Sequence, residues 1–120
     1  MGLGYPRRVS STALVLSTAP DRATAERLAR GLVEAGLAAC VSIGAPCRSI
    51  YRWEGAVCEA DELPLTIKTS TERANDVEAW LVAHHPYEVP EVLVVGTEGG
   101  LAAYRAWVDE STRHAGTARR

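Results

Sequence analysis

Two β-rich segments joined by one tight turn constrain this chain more than any other feature of its sequence. The first segment covers residues 38–53, which is 16 residues, and the second covers residues 57–69. Glu54-Gly55 between them is typical of a hairpin turn. Fully extended at ~3.3 Å per residue, the first arm would span about 50 Å, whereas a compact globule of this length is roughly 35 Å across. The arms must therefore bend or protrude, and Gly44 and Pro46 supply a bend.

The hairpin carries large aromatic side chains near its tip. Tyr51 and Trp53 lie two residues apart, so they share one face of the strand. Aromatic side chains on a protruding two-stranded ribbon are unstable in water without a partner. We therefore predict an oligomer in which Tyr51 and Trp53 lie at the subunit interface. In the alternative, these side chains fold back onto their own sheet.

The hydrophobic pattern along the chain alternates between strand and helix periods. It predicts the order β-α-β-β-α-β followed by a last helix, which is the ferredoxin-like split βαβ pattern of the α+β class. In that pattern two helices cover one face of an antiparallel sheet. The predicted strands cover residues 12–18, 37–43 with 49–53, 57–69 and 91–96, and the predicted helices cover residues 22–35, 72–84 and a short segment from residue 101.

Local signals mark several element boundaries. Asp21 is a suitable N-cap for the first helix, and Gly36 stands where a C-cap glycine belongs. Thr69-x-x-Glu72 has the form of a capping box for the second helix. Pro64 cannot donate a ladder hydrogen bond, so it predicts a bulge or a point where the partner strand has ended.

Length and charge limit the class of protein. The chain has 120 residues and a net charge of −2, which indicates one domain and argues against a general nucleic-acid binder. No apolar run approaches the ~20 residues of a membrane span, so neither nucleic acid nor membrane is expected as a partner. We assign residues 12–112 to the domain, and residues 1–11 and 113–120 to flexible tails. Arg7-Arg8 before a short apolar stretch resembles an export signal only weakly.

The three cysteines, Cys40, Cys47 and Cys58, form no CxxC pair. Closure of the hairpin at Glu54-Gly55 would pair Cys58 near Tyr51 and far from Cys47, which disfavours a disulfide between them. Unpaired thiols favour a reducing compartment, so we expect a cytoplasmic protein.

The segment from His84 to Glu91 is the richest in potential metal ligands. It holds two imidazoles and two carboxylates. Adjacent histidines on a regular helix point about 100° apart, so His84 and His85 could share a metal only if the helix unwinds at His85, which Pro86 favours. Imidazole suits copper, zinc and nickel, with copper(II) bound most strongly. In the alternative, these histidines only cap the helix C-terminus.

The sequence contains none of three common catalytic and nucleotide-binding motifs. The chain has no GxSxG, Walker-type or GxGxxG motif, so we expect no enzymatic activity. The acidic residues of the hairpin region, Glu54, Glu59, Asp61 and Glu62, are expected to form a solvated face. Arg52 and Lys68 are the cations that could meet an anion at a subunit boundary.

Separated motifs in this chain resemble those of the CutA divalent-cation tolerance family, in the same order and over residues 12–112. The resemblance implies a ferredoxin-like subunit, a tight homotrimer formed through the long hairpin, and a role in tolerance to copper and other divalent ions without an established reaction. The motifs are Thr18-Ala19-Pro20-Asp21, Gly36-Leu37-Ala38-Ala39-Cys40-Val41, Ser49-Ile50-Tyr51-Arg52-Trp53-Glu54-Gly55, Ile67-Lys68-Thr69, His85-Pro86-Tyr87-Glu88-Val89-Pro90-Glu91 and Ala103-Tyr104-Arg105-Ala106-Trp107.

The resemblance also implies a metal site. Copper binding in family members is ascribed to a His-His pair, which matches His84 and His85, and to a first-strand cysteine. Ser17 replaces that cysteine here. Without the soft ligand, we expect weak binding of copper(II) or another divalent cation, with copper(I) most disfavoured. No metal is expected to be required for folding.

Trimers of this kind also resemble the PII signalling proteins. The alternative function is therefore a module that binds a small anionic ligand in the cleft between subunits. Arg52, Lys68, Tyr87 and Glu91 are the candidate residues of that cleft. A structural scaffold trimer without any small ligand is the remaining alternative.

Overall fold

The computed structural model describes residues 11–113 of the chain. The predicted α+β order is confirmed, with one strand interrupted. The predicted domain, residues 12–112, lies within the described range, whereas all but residues 11 and 113 of the predicted tails lie outside it. The elements are β1 Thr12–Ala19, α1 Arg22–Glu34, β2 Cys40–Ile43, β3 Cys47–Trp53, β4 Ala56–Ser70, α2 Ala74–His84, β5 Leu93–Gly96 and α3 Ala102–Ser111.

The sheet is antiparallel and has the strand order β2-β4-β1-β5. β3 continues beyond β2 along the same edge of β4. The register places Val15 of β1 opposite Ile67 of β4 on one side and Val94 of β5 on the other. This arrangement is the ferredoxin-like fold that the element order predicts, because the interrupted strand β2–β3 forms a hairpin with β4, and β4 lies beside β1.

The core lies between α1, α2 and one face of the sheet. Alternate residues of β1 and β4 point into it, as a strand with one covered face requires. The other face carries Leu14, Leu16 and Lys68, which are only half-buried, and the exposed Leu93 and Val95. The buried core comprises Val15, Ala19, Ala25, Leu28, Leu32, Leu37, Ala38, Leu63, Leu65, Ile67, Val77 and Leu81.

Both predicted caps of α1 are confirmed. The carboxylate of Asp21 accepts a hydrogen bond from the Thr24 N–H at 2.8 Å, and this bond holds the Asp21 pKa below its usual value. Gly36 follows the helix with φ +74°, and the Leu37 N–H donates to Leu32 O at 3.0 Å. This pattern is a Schellman motif, which needs a left-handed residue at the position of Gly36.

The predicted start of the second strand and the predicted start of the second helix are both wrong, because the residues involved complete the C-terminal cap of α1. The second strand begins at Cys40 and not at residue 37, because the chain first completes the α1 cap. Thr69 does not form a capping box with Glu72: it lies in β4, and its hydroxyl donates to Leu37 O at 2.7 Å. α2 begins only at Ala74, without a side-chain N-cap. Thr69 therefore satisfies a carbonyl beyond the end of α1 and does not start α2.

The hairpin is interrupted where Gly44 and Pro46 predict a bend. Residues 44–46 lie opposite residues 63–64, so β2–β3 has one extra residue. The Gly44 N–H donates to Pro64 O at 2.8 Å. The bulge predicted from Pro64 is thus confirmed.

The far end of the hairpin closes in a two-residue turn. Glu54 and Gly55 have φ of +51° and +83°, which is typical of a type I′ turn. Tyr51 lies opposite Cys58, as the sequence predicts, and Cys47 lies opposite Glu62. The molecule measures 55 × 29 × 24 Å, so the arm extends the domain along one axis. Within residues 11–113 no helix is long and apolar enough to cross a membrane.

Candidate functional site

A cavity of about 620 Å³ opens where the β3–β4 hairpin leaves the domain. The hairpin supplies one wall through residues 49 and 51–53, and the segment that follows α2 supplies the other through residues 87–91. Thr18, at the end of β1, and Glu62, on β4, also line it. The strand register explains this meeting, because Thr18 pairs with Pro64, two residues from Glu62.

Glu62 is a buried carboxylate in the wall of this cavity. Its exposed fraction is 8%. Oε2 accepts hydrogen bonds from the Tyr87 hydroxyl at 2.9 Å and from the Thr18 hydroxyl at 3.3 Å. Burial, together with the bond to Glu62, raises the pKa of Tyr87 to about 12. Tyr87 therefore remains a hydrogen-bond donor to Glu62 at neutral pH.

His85 fixes the segment that carries Tyr87. Its Nδ1 accepts a hydrogen bond from the Tyr87 N–H at 3.0 Å, so Nε2 carries the proton and donates to Thr18 O at 2.7 Å. The imidazole is buried. Both ring nitrogens are thus occupied within the chain, and they tie residue 87 to the end of β1.

His84 has a different environment. Its side chain is exposed, and its ring stacks on Trp80 with centroids 3.9 Å apart. Nδ1 lies 2.8 Å from Trp80 O. Because a carbonyl only accepts, Nδ1 must carry the proton, which leaves the lone pair of Nε2 available.

The helix does unwind at His85, as Pro86 predicts: its ψ is 142°. The unwinding turns His85 inward to Thr18 and away from a shared site with His84. Ser17, which the resemblance places where family members carry a cysteine, is buried in β1. Within residues 11–113 no group of three or more histidine, cysteine, aspartate or glutamate side chains is arranged to hold a metal ion. Metal binding by His84 and His85 stays a prediction.

Three of the four predicted cleft residues meet at the cavity. Arg52, Tyr87 and Glu91 line it. Lys68 does not: it lies opposite Cys40 in the sheet, its ammonium hydrogen-bonds to Ser42, and it is 3.9 Å from the Cys40 Sγ.

The acidic residues of the hairpin region do not share one face. Arg48 pairs with Glu59 at 2.7 Å and with Asp61 at 3.1 Å, and all three are exposed. These two carboxylates raise the pKa of Arg48. Glu62 was expected on the same solvated face and is instead buried in the cavity wall. The period of two along β4 separates Glu62 from Glu59 and Asp61, and that signal could have identified it.

The chain was compared with known proteins and solved structures. The family model of the CutA1 divalent ion tolerance protein matches residues 13–111. The divalent-cation tolerance protein CutA of Pectobacterium atrosepticum is 39% identical over 107 residues, covering 89% of this chain and 97% of that protein. Its counterpart from Thermus thermophilus is 41% identical over 99 residues, covering 82% and 96%.

Solved structures give the same result for the fold. The crystal structure of CutA from Xylella fastidiosa matches with a TM-score of 0.83 at 38% identity, covering 86% of this chain and 99% of that one. CutA1 from Oryza sativa matches with a TM-score of 0.85 at 35% identity, covering 88% and 97%. The similarity therefore extends over nearly the whole described chain.

Proposed function

Because this chain belongs to the CutA1 divalent ion tolerance family, we propose that it is a non-catalytic tolerance protein that binds copper(II) or another divalent cation weakly. The observation that carries this proposal is the geometry of His84. Nδ1 donates to Trp80 O, and the exposed ring leaves Nε2 free to bind a metal. A metal-ligating histidine commonly donates its other ring N–H to a backbone carbonyl in this way.

His84 is then the metal ligand, and His85 supports the fold beside it. Both nitrogens of His85 are already hydrogen-bonded, so metal binding there would break a contact with Thr18 or Tyr87. A single exposed imidazole without the soft ligand that Ser17 replaces binds a divalent cation weakly. Copper(II) is favoured among the first-row divalent ions because it binds imidazole most strongly.

Calorimetry with copper(II), on the full chain purified without a histidine tag, tests this proposal. We expect H84A to lose the copper(II) heat that wild type gives and H85A to retain it. H114A is the matched control, because it removes the third histidine of the chain. An H84A variant that binds copper(II) like wild type would contradict the assignment.

We also propose that the protein is a homotrimer assembled through the hairpin. Exposed apolar side chains on both faces of the β3–β4 ribbon support it: Tyr51 and Trp53 lie on one face, and Ile50 and Val57 on the other, with exposed fractions of 44–66%. A ribbon that is apolar on both faces requires cover on both. Light scattering should give three times the chain mass of 12.9 kDa. A mass of one chain would overturn the trimer.

The cytoplasm is the compartment we propose. Cys40, Cys47 and Cys58 are free thiols in the structure, and a reducing compartment is where unpaired thiols persist. Fractionation of cells against marker proteins of each compartment tests this location.

The alternative of a small anionic ligand receives less support from the cavity. Its lining includes the carboxylates of Glu62, Glu88 and Glu91 and a single guanidinium, that of Arg52. The carboxylates outnumber the guanidinium and would repel a bound anion, so the net charge of the lining favours a cation. Thermal-shift screening with anionic metabolites measures the alternative directly, because a ligand of the native state raises the Tm.

A further inference from the structure

β2 forms one edge of the sheet, and its outer side has no partner strand in the part of the chain that the structure describes. The Gly44 N–H donates to Pro64 O, and the residues that are hydrogen-bonded across an antiparallel pair alternate along it. The backbone groups of Val41 and Ile43 therefore point away from β4. Unpaired N–H and C=O groups at a sheet edge are a template for a further strand.

A groove of about 420 Å³ lies between this edge and α1. Val41 and Ile43 line it from β2, and Ala29 and Val33 line it from α1. Val33 is 44% exposed, so the groove offers apolar surface that a partner can cover. A sheet edge beside an apolar groove is the geometry in which an extended peptide adds to a sheet as a new strand. None of the hairpin residues proposed for the trimer lines this groove.

The first five residues of the chain have the pattern of a strand with one apolar face. Met1, Leu3 and Tyr5 alternate with Gly2 and Gly4. Because successive side chains of an extended segment point to opposite sides, the three large apolar side chains would share one side. Such a segment can place alternate side chains in a groove while its backbone pairs with a sheet edge.

The position of β1 brings this segment within reach of β2. Thr12 pairs with Ser70 and Cys40 pairs with Lys68, so β1 and β2 begin at the same end of the sheet. Only β4 lies between them, which makes the distance across about 10 Å. Residues 6–10 span about 16 Å when extended, so they can cross it. The first five residues would then run antiparallel to β2.

The charges at this end of the groove are complementary to those of the connecting residues. Arg7 and Arg8 lie in the segment that would cross from β1 to β2. Glu34 lines the groove at the end of α1, close to the start of β2, and is exposed. Opposite charges at this point favour the crossing segment over a neutral one, and the attraction is screened by salt.

We propose that residues 1–5 add to the edge of β2 as an antiparallel strand, with Leu3 and Tyr5 in the groove beside α1. In this arrangement the segment is not the flexible tail that its composition predicts. It closes a sheet edge that would otherwise be open to pairing with other molecules. The proposal goes beyond the proposed metal function and uses neither His84 nor the hairpin.

Amide hydrogen exchange of Val41 and Ile43, followed residue by residue, tests the proposal. The full chain is compared with a chain that begins at Ser11. We expect both amides to exchange about tenfold or more slowly in the full chain than in the shortened one, because the added strand supplies their acceptors. Equally slow exchange in both chains would mean that another molecule, such as a second copy, covers the edge. Equally fast exchange would mean that the edge is open, and either result overturns the proposal.

Substitutions on both sides of the contact locate it. Leu3→Ser with Tyr5→Ser should give the fast exchange of the shortened chain, and Val9→Ser is the control, because it removes an apolar side chain from the connecting segment only. Val33→Asp puts a charge into the groove and should have the same effect. Val82→Asp is its matched control at an exposed position of α2. Exchange like that of wild type in both the Leu3/Tyr5 variant and Val33→Asp rejects the docked strand.

Discussion

Gly31 of α1 lies directly against the indole of Trp80 of α2. A Cβ placed on Gly31 would lie 2.6 Å from Cζ2 and 2.7 Å from Cη2 of that ring. These distances leave no room for a methyl group. The contact also reaches the candidate metal ligand, because the same indole stacks on His84. The glycine thus sets how closely the two helices approach and where His84 is held.

We expect Gly31→Ala to destabilise the protein by about 1 kcal/mol or more. Helix propensity alone would favour alanine by about 1 kcal/mol, but overpacking costs about 1–3 kcal/mol, and the rigid indole must move. Urea denaturation at one protein concentration measures the difference in the free energy of unfolding between wild type and Gly31→Ala. In the Trp80→Ala background the same substitution should be neutral or stabilising. An equal loss in both backgrounds would mean that the indole is not the cause.

The two histidines should differ in their effect on stability in the absence of metal. His85→Ala removes two partly buried hydrogen bonds, to Thr18 O and from the Tyr87 N–H, so we expect the free energy of unfolding to fall by about 1–3 kcal/mol. His84→Ala removes an exposed stacked ring, and we expect the free energy of unfolding to fall by less than about 1 kcal/mol. Denaturation in the presence of a chelator measures both, and equal losses would contradict the assignment of His85 as structural.

The hairpin turn is sensitive to its two left-handed residues. Gly55→Ala should cost about 1 kcal/mol, because φ is +83° and a Cβ disfavours this region. Glu54→Asn should be stabilising by a few tenths of a kcal/mol, since φ is +51° and asparagine tolerates it better than glutamate does. Thermal denaturation at fixed concentration compares the two. A Gly55→Ala variant with the Tm of wild type would contradict the assigned turn.

Much of the fold follows from the sequence, because its determinants are local. The α1 caps at Asp21 and Gly36 and the bulge opposite Pro64 depend on backbone requirements of single residues, and all are confirmed. The capping box predicted at Thr69 is wrong because the Thr69 hydroxyl has two competing hydrogen-bond partners. Only the packed structure brings Leu37 O within its reach, so the tertiary contact replaced the local one.

The candidate site was less predictable, because its residues come from distant parts of the chain. Tyr87 meets Glu62 only when the segment after α2 folds over the end of β1. Pro86 predicts correctly that the helix unwinds at His85, but not that the ring turns inward to Thr18 O. The strand register places Lys68 opposite Cys40 and away from the cavity, and this pairing joins residues that are 28 positions apart in the chain.

High pH should weaken the structure through Tyr87. Its pKa is raised from 10.0 to about 12, so the folded state keeps this proton between these two values while the unfolded state loses it. The contribution of Tyr87 to the free energy of unfolding is therefore fully present below pH 10, and it is lost as the pH rises through the folded-state pKa. Tyr87→Phe should unfold with a smaller dependence on pH in this range than wild type does. Tyr104→Phe, on the exposed face of α3, is the control, and identical slopes for wild type and Tyr87→Phe would contradict this role.

Charge on the hairpin should dissociate the proposed trimer. Replacing Tyr51 and Trp53 together by glutamate puts two carboxylates on a face that we expect to be buried between subunits, and a buried unpaired charge costs several kcal/mol. Light scattering should then give a smaller particle than wild type. Val82→Glu is the matched control, because Val82 is an exposed apolar residue of α2, away from the hairpin. If the double variant keeps the wild-type mass, the hairpin aromatics do not hold the subunits together, and the assembly must depend on another apolar surface, such as the exposed Leu93 and Val95 of β5.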